Sequence, residues 1–141
     1  MNNIDNKNFN QWNKIKKKTH SFNNSEVFIN NREIWFVKLG YNIGFEQDGK
    51  NENYQRPVLV LKRLGNMFLV LPLTSSGKNN QFYHKFNPNN LKLENPKYRN
   101  SSYAILSQIK TIDKKRFFKN VGVVSSNEFK MVKEKLKTFL F

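Results

Sequence analysis

The chain has 141 residues, room for one domain with a short appendage, and with 38% apolar residues and 13 phenylalanines it has the material for a packed core. Its 25 Lys and Arg against 10 Asp and Glu give a formal net charge of +15, a field that attracts polyanions and makes nucleic acid the default partner. The same surplus also fits a merely solvated surface, so motifs must decide between the two. Cysteine is absent and the histidines are His20 and His84, which excludes disulfides, thiolate sites and thiol nucleophiles and leads us to expect neither metal nor cofactor. No apolar run is long enough to span a bilayer, and the first residues are polar where a signal peptide would be apolar. The expectation is a cytoplasmic protein with no membrane association.

Residues 1–31 are rich in Asn and Lys, with a Lys16, Lys17, Lys18 cluster, and read as a basic appendage. Phe9, Trp12 and Ile15, spaced by three, would share one face of a short helix; a disordered basic arm and such a helix both remain open. From Arg32 the pattern changes. Residues 34–39 predict a strand ending at Gly40, followed by a loop over 41–55 punctuated by Gly44 and Gly49. Strands over 57–62 and 67–73 flank a tight hairpin containing Gly65 and Asn66, and their nearly continuous apolar runs place them at the centre of the core. A polar turn through Thr74, Ser75, Ser76 and Gly77 leads to a weaker strand over 81–86. A loop marked by Pro88 and Pro96 follows, then strands over 103–109 and 117–124. Ser125 with Glu128 fits a capping box, and Phe129, Val132, Leu136 and Phe139 form the inner face of a helix whose Lys130, Lys133 and Lys137 point outward. About six short strands and one capped helix, without strand–helix alternation, predict a mainly β domain over 32–141: a small barrel with a C-terminal helix packed on it.

Four segments occur in order: Gly44-Phe45-Glu46-Gln47-Asp48-Gly49, Arg56-Pro57-Val58-Leu59-Val60-Leu61, Pro72-Leu73-Thr74-Ser75-Ser76 and Leu106-Ser107-Gln108-Ile109-Lys110-Thr111-Ile112-Asp113. Each is weak alone, but the ordered set, with a late Val121-Gly122 turn, resembles the MazF/PemK family of toxin endoribonucleases over residues 32–140, in a long-loop form. The resemblance implies an SH3-like barrel of the CcdB/MazF type and a homodimer. It further implies the toxin of a type II toxin–antitoxin system, cutting single-stranded RNA without metal to leave 2′,3′-cyclic phosphate and 5′-hydroxyl ends. A cognate acidic antitoxin would neutralise it by laying an extended segment in the RNA groove.

Metal-free RNA cleavage needs a base for the ribose 2′-hydroxyl, a cation for the phosphorane charge, and hydrogen-bond donors. Arg56, at the start of a buried strand beside a loop, has the fork to hold phosphate bidentately, and the resemblance points to the same residue. Its plainer reading is a solvent-facing strand cap. Thr74, the family's second functional position by resemblance, sits with Ser75 and Ser76 where a core strand enters a turn; hydroxyls there contact phosphate or simply form the turn. Glu46 is the candidate base. Family members often carry an acidic residue before the Gln of the fourth segment, and here Ser107 takes that place, leaving Glu46 or Arg56 electrostatics to carry the step. Tyr54 is a candidate for stacking on a base. Gln108 reads a base edge or satisfies backbone groups, Lys110 and Asp113 form a positioning pair, and His84 is a candidate RNA contact on a strand. Lys114, Lys115, Arg116 and Lys119 offer sequence-independent phosphate attraction. Two other functions fit: a non-catalytic RNA- or DNA-binding barrel, and a CcdB-like gyrase-directed toxin, against which Arg56 and Thr74 argue.

Overall fold

Apolar runs in which every residue is buried need cover on both faces of a sheet, and the fold supplies it. A computed structural model of the chain describes residues 7–24, 26–51, 54–95 and 103–141. In chain order it contains α1 (Phe9–His20), β1 (Glu33–Lys38), β2 (Gln55–Leu64), β3 (Met67–Thr74), β4 (Tyr83–Lys85), β5 (Leu91–Leu93), β6 (Tyr103–Ile105), β7 (Lys110–Asp113), β8 (Phe117–Val124) and α2 (Ser126–Leu140). The eight strands form one antiparallel sheet in the order β4-β6-β3-β2-β1-β8-β5, with β7 also pairing β3. β3 is shared: Met67 to Val70 face β7, whereas Leu73 and Thr74 face β6. That division bends the sheet. No ladder joins β4 to β5 among the described residues, so the barrel is an open one.

Side chains alternate between faces along each strand. Ile34, Leu59, Leu61, Leu71 and Leu73 lie on the face covered by Phe129, Val132 and Leu136 of α2. Trp35, Val37, Val58, Val60, Phe68 and Val70 fill the other, closed over by Ile112, Phe117 and Ile29. The β2–β3 hairpin turns at Gly65, whose φ of +66° suits glycine, between the paired Leu64 and Met67.

Several expectations need correction. β5 falls in the stretch read as loop; two half-buried leucines flanking an exposed Lys92 carry too short a pattern to be read as a strand. The single strand expected over 103–109 is broken by a 3-10 turn, Leu106–Gln108, which buries Leu106 fully and sends the chain back as β7 along β3. Val121 and Gly122 are not a turn but part of β8, where a Cβ on Gly122 would lie 2.5 Å from the Lys92 carbonyl oxygen of β5. Ser125 Oγ accepts from Glu128 N at 3.2 Å, yet the reciprocal half of the capping box is missing because the Glu128 carboxylate turns inward.

At the N-terminus, Asn8 caps α1 by accepting from Gln11 N at 2.9 Å. Trp12 is buried against Gly40, where any Cβ would collide with the indole, and its ring lies 5.3 Å from that of Tyr54. Asn24 Nδ2 donates to the Lys114 carbonyl at 2.5 Å and Lys115 Nζ to the His20 carbonyl at 2.7 Å, which ties the segment after α1 to the turn after β7. No helix among the described residues is long and apolar enough to cross a membrane.

Candidate functional site

Arg56 enters β2 opposite Val37 of β1, and extending the Val58–Pro72 register of β2 and β3 by two residues sets it across from Thr74. Both side chains belong to the face that carries Val58, Val60 and Val70, at the end of that core. Only 6% of Arg56 is exposed. Its Nε donates to the Asp48 carbonyl at 2.5 Å and its Nη1 to the Leu73 carbonyl at 3.0 Å. With the Gln47 amide oxygen turned toward the guanidinium, it accepts from Nη2 at 2.7 Å. Burial pushes Arg56 below its ordinary pKa, against the opposing pull of Asp48, and its carbonyl partners keep the cation inside the fold.

Two of these acceptors, the Asp48 carbonyl and the Gln47 amide, come from residues 41–49, which form a lid over the guanidinium. Gly49 N bonds to the Gly40 carbonyl at 2.8 Å and closes its neck. Asn42 N donates to Asp48 Oδ1 at 2.6 Å, and Asp48 Oδ2 meets Lys7 Nζ of the N-terminal segment at 2.8 Å. From the other side Gln108 grips the lid's backbone, donating through Nε2 to the Phe45 carbonyl at 3.1 Å and accepting from Gln47 N at 3.4 Å. Of its two open readings, Gln108 adopts the one that satisfies backbone groups. At the lid's tip Phe45 is 98% exposed and Glu46 is also exposed.

Thr74 Oγ1 accepts from Ser76 N at 3.1 Å, so its own proton remains available to an acceptor, and Ser75 and Ser76 are exposed beside it. Lys110, half-buried on β7 and paired with Val70, lies on the same face as Arg56 and Thr74. Burial and then Arg116 lower its pKa, while the negative charge of Glu46 acts in the opposite direction. Arg116 donates through Nη1 to the Lys38 carbonyl at 2.9 Å, and burial lowers its pKa against Asp113. Arg56, Thr74, Glu46, Gln108, Lys110 and the two serines thus converge at one end of the sheet.

Three expectations do not survive. Tyr54 is buried between Trp12 and Tyr41, its ring centroid 4.8 Å from that of Tyr41, and its face is spent on that aromatic packing rather than offered to a base. Burial accordingly raises the pKa of its hydroxyl. His84 is buried on the α2 side, with Nε2 2.7 Å from Glu128 Oε2, so it belongs to the core and has no surface for RNA. Lys110 and Asp113 do not pair; Asp113 Oδ1 instead accepts from Lys115 N at 2.8 Å and caps the turn after β7. Sequence reasoning missed the lid's latch, Lys7 with Asp48 and Asn42, because Lys7 is remote in the chain and Asn and Asp in a loop signal only a turn. It treated Arg116 as one of a surface run, although half of that side chain is inside.

Comparison of the chain with curated proteins finds no match. Among solved structures, MazF from Deinococcus radiodurans superposes with a TM-score of 0.61 at 19% identity, covering 81% of this chain and 98% of that one. An endoribonuclease in complex with its cognate antitoxin from Mycobacterial species gives 0.58 at 16% identity, over 80% and 95% of the two chains. The Mycobacterium tuberculosis toxin MazF-mt6 gives 0.54 at 16%, over 77% and 96%. At these identities the superpositions establish the fold. The sequence pattern described as PemK-like, MazF-like toxin of type II toxin–antitoxin system matches residues 30–140, and the chain therefore belongs to that family.

Proposed function

We propose that the protein is a metal-independent endoribonuclease that cuts single-stranded RNA, the toxin of a pair whose partner is an acidic antitoxin, and that it acts as a homodimer. The observation that carries this reading is the convergence of a buried guanidinium, a hydroxyl with a free proton, a half-buried ammonium and an exposed carboxylate at one end of the sheet. In the reaction the ribose 2′-oxygen attacks phosphorus as its proton passes to Glu46, the bond from phosphorus to the 5′-oxygen breaks, and that oxygen leaves with a proton taken from solvent, to which Glu46 afterwards returns its own. The products are a 2′,3′-cyclic phosphate and a 5′-hydroxyl. Arg56 and Lys110 offset the phosphorane charge, and Thr74 donates to a phosphate oxygen. Arg56 reaches phosphate only when the lid releases it. An extended acidic segment would compete for the same cations, in keeping with the antitoxin complexes among the similar structures.

One feature favours a second reading, a barrel that binds RNA without cutting it: Ser107 stands where a carboxylate is common, and the donors of Arg56 are held by the protein. A long single-stranded RNA incubated with protein in EDTA separates the two. Discrete cuts with 5′-hydroxyl ends are expected, falling roughly 10² to 10³-fold in Thr74→Val and further in Arg56→Lys. Binding without cutting by folded protein would decide for the second reading, and cuts that need a divalent metal would sink the proposed chemistry.

A further inference from the structure

The N-terminal segment supplies most of the lining of a pocket that the matched domain alone does not have. This recess of about 590 Å³ lies between α1 and the turn after β7 and is lined by Trp12, Lys16, Lys17, His20, Lys115 and Arg116, among others. Its carboxylate, Asp113, is already bonded to Lys115 N. The carbonyl of His20 at the negative end of α1 is answered by Lys115 Nζ. What remains facing the recess is cationic, over an apolar floor that includes Trp12. Concavity separates this cluster from a solvated basic face, which has no walls. Two neighbouring depressions also include Lys115, so the recess continues along the surface on either side of that residue.

Its position relates it to the site. Arg116, in the pocket wall, donates to the carbonyls of Lys38 at 2.9 Å and Leu39 at 3.4 Å, immediately beyond Val37, the cross-strand partner of Arg56. β7 runs from Lys110 at the site to Asp113 at the pocket, a distance of about 10 Å at strand rise. A polyanion held at Arg56 and Lys110 therefore meets Arg116 and the pocket next along the same surface.

We propose that this pocket is an accessory subsite for single-stranded RNA, taking a backbone phosphate a few nucleotides from the scissile one. The inference rests on the RNA-cleaving reading for the scissile end only; the subsite itself is a matter of binding. Lys16 and Lys17 are exposed on α1 and make no side-chain hydrogen bond among the described residues, so their reversal should leave the fold intact. The test measures binding of a fluorescein-labelled single-stranded RNA by anisotropy across a salt series. It compares the full chain with Lys16→Glu/Lys17→Glu and with a charge-matched control on the outer face of α2, Lys130→Glu/Lys137→Glu, each checked for an unchanged melting temperature. The α1 pair should weaken binding several-fold more than the control, and its slope of log K against log salt should be shallower by about 0.7, the contribution of the one phosphate the pocket takes. Equal losses in the two pairs would reduce the effect to net charge and overturn the subsite. So would a loss of affinity for an acidic peptide with RNA binding unchanged. Because the readout is binding, absence of cleavage alongside a pocket-specific loss sinks the nuclease reading and leaves the subsite standing.

Discussion

A carboxylate 1% exposed is stable as an anion only where donors surround it, and Glu128 has three. Its Oε1 accepts from Asn90 Nδ2 at 3.0 Å and from Asn87 N at 3.2 Å, and its Oε2 meets His84 Nε2 at 2.7 Å. Burial works to raise the Glu128 pKa, but the bonds from Asn90, His84 and Asn87 together hold it below the ordinary carboxylate value. Burial lowers His84 as well, against the pull of Glu128. Both groups bind fewer protons in the fold than in the unfolded chain. The stability they contribute is therefore full above the ordinary histidine value, about 6.5, and is lost as pH falls, first through His84 and then through Glu128. Glu128→Gln should lower the melting temperature at pH 7, at a cost of roughly 1–3 kcal/mol, and should flatten the loss between pH 7 and pH 4. Parallel pH curves for wild type and variant would show that the pair does not set acid stability. Sequence pattern assigned Glu128 to a reciprocal helix cap and His84 to RNA; a pair separated by 44 residues leaves no local periodicity by which to find it. Arg56 and Thr74 were legible because each begins or ends an apolar strand.

At the scale of elements, what was readable followed from length and burial. β2, β3, β8 and α2 carry long, patterned apolar runs and lie close to where the sequence puts them, whereas β5 and β7 are three or four residues long and are defined by partners rather than by their own residues. The placement of α1 could not be read either, since its side facing the barrel rests on one buried indole and on loop residues far along the chain. Gly40 holds that arrangement. Its φ of +78° suits glycine, and the space a Cβ would occupy belongs to Trp12. Gly40→Ala should therefore expel Trp12 and undock α1 while the two clusters on the faces of the sheet, neither of which contains Trp12, stay folded. Hydrogen exchange would show faster exchange across residues 9–20 and in the lid at 41–49, which loses its Lys7 anchor, with protection of β2 and β3 unchanged. Global unfolding in step with α1 would mean that the helix is integral to the core.

Across the whole molecule, charge acts in two ways that salt can separate. Lysines on α1, Lys115 on the turn after β7 and the lysines on α2 are exposed, so their attraction for RNA is screened over roughly 8–10 Å at physiological ionic strength. Arg56 is held on its strand side by the Leu73 carbonyl, and once the lid opens it would act on a phosphorane at contact distance with RNA already bound, where mobile ions screen it far less than they screen the surface lysines. Raising salt should therefore increase KM steeply, with log affinity falling by about 0.7 per phosphate contact for each tenfold rise in salt, while kcat measured at saturating RNA stays nearly flat. The lid adds a condition. Opening it breaks the partly buried ion pair of Lys7 with Asp48, which salt weakens only modestly, so if opening limits turnover kcat should rise slightly with salt rather than stay level. A kcat that falls in step with affinity would contradict both cases, because it would place the screened surface lysines, not the buried arginine, in the transition state.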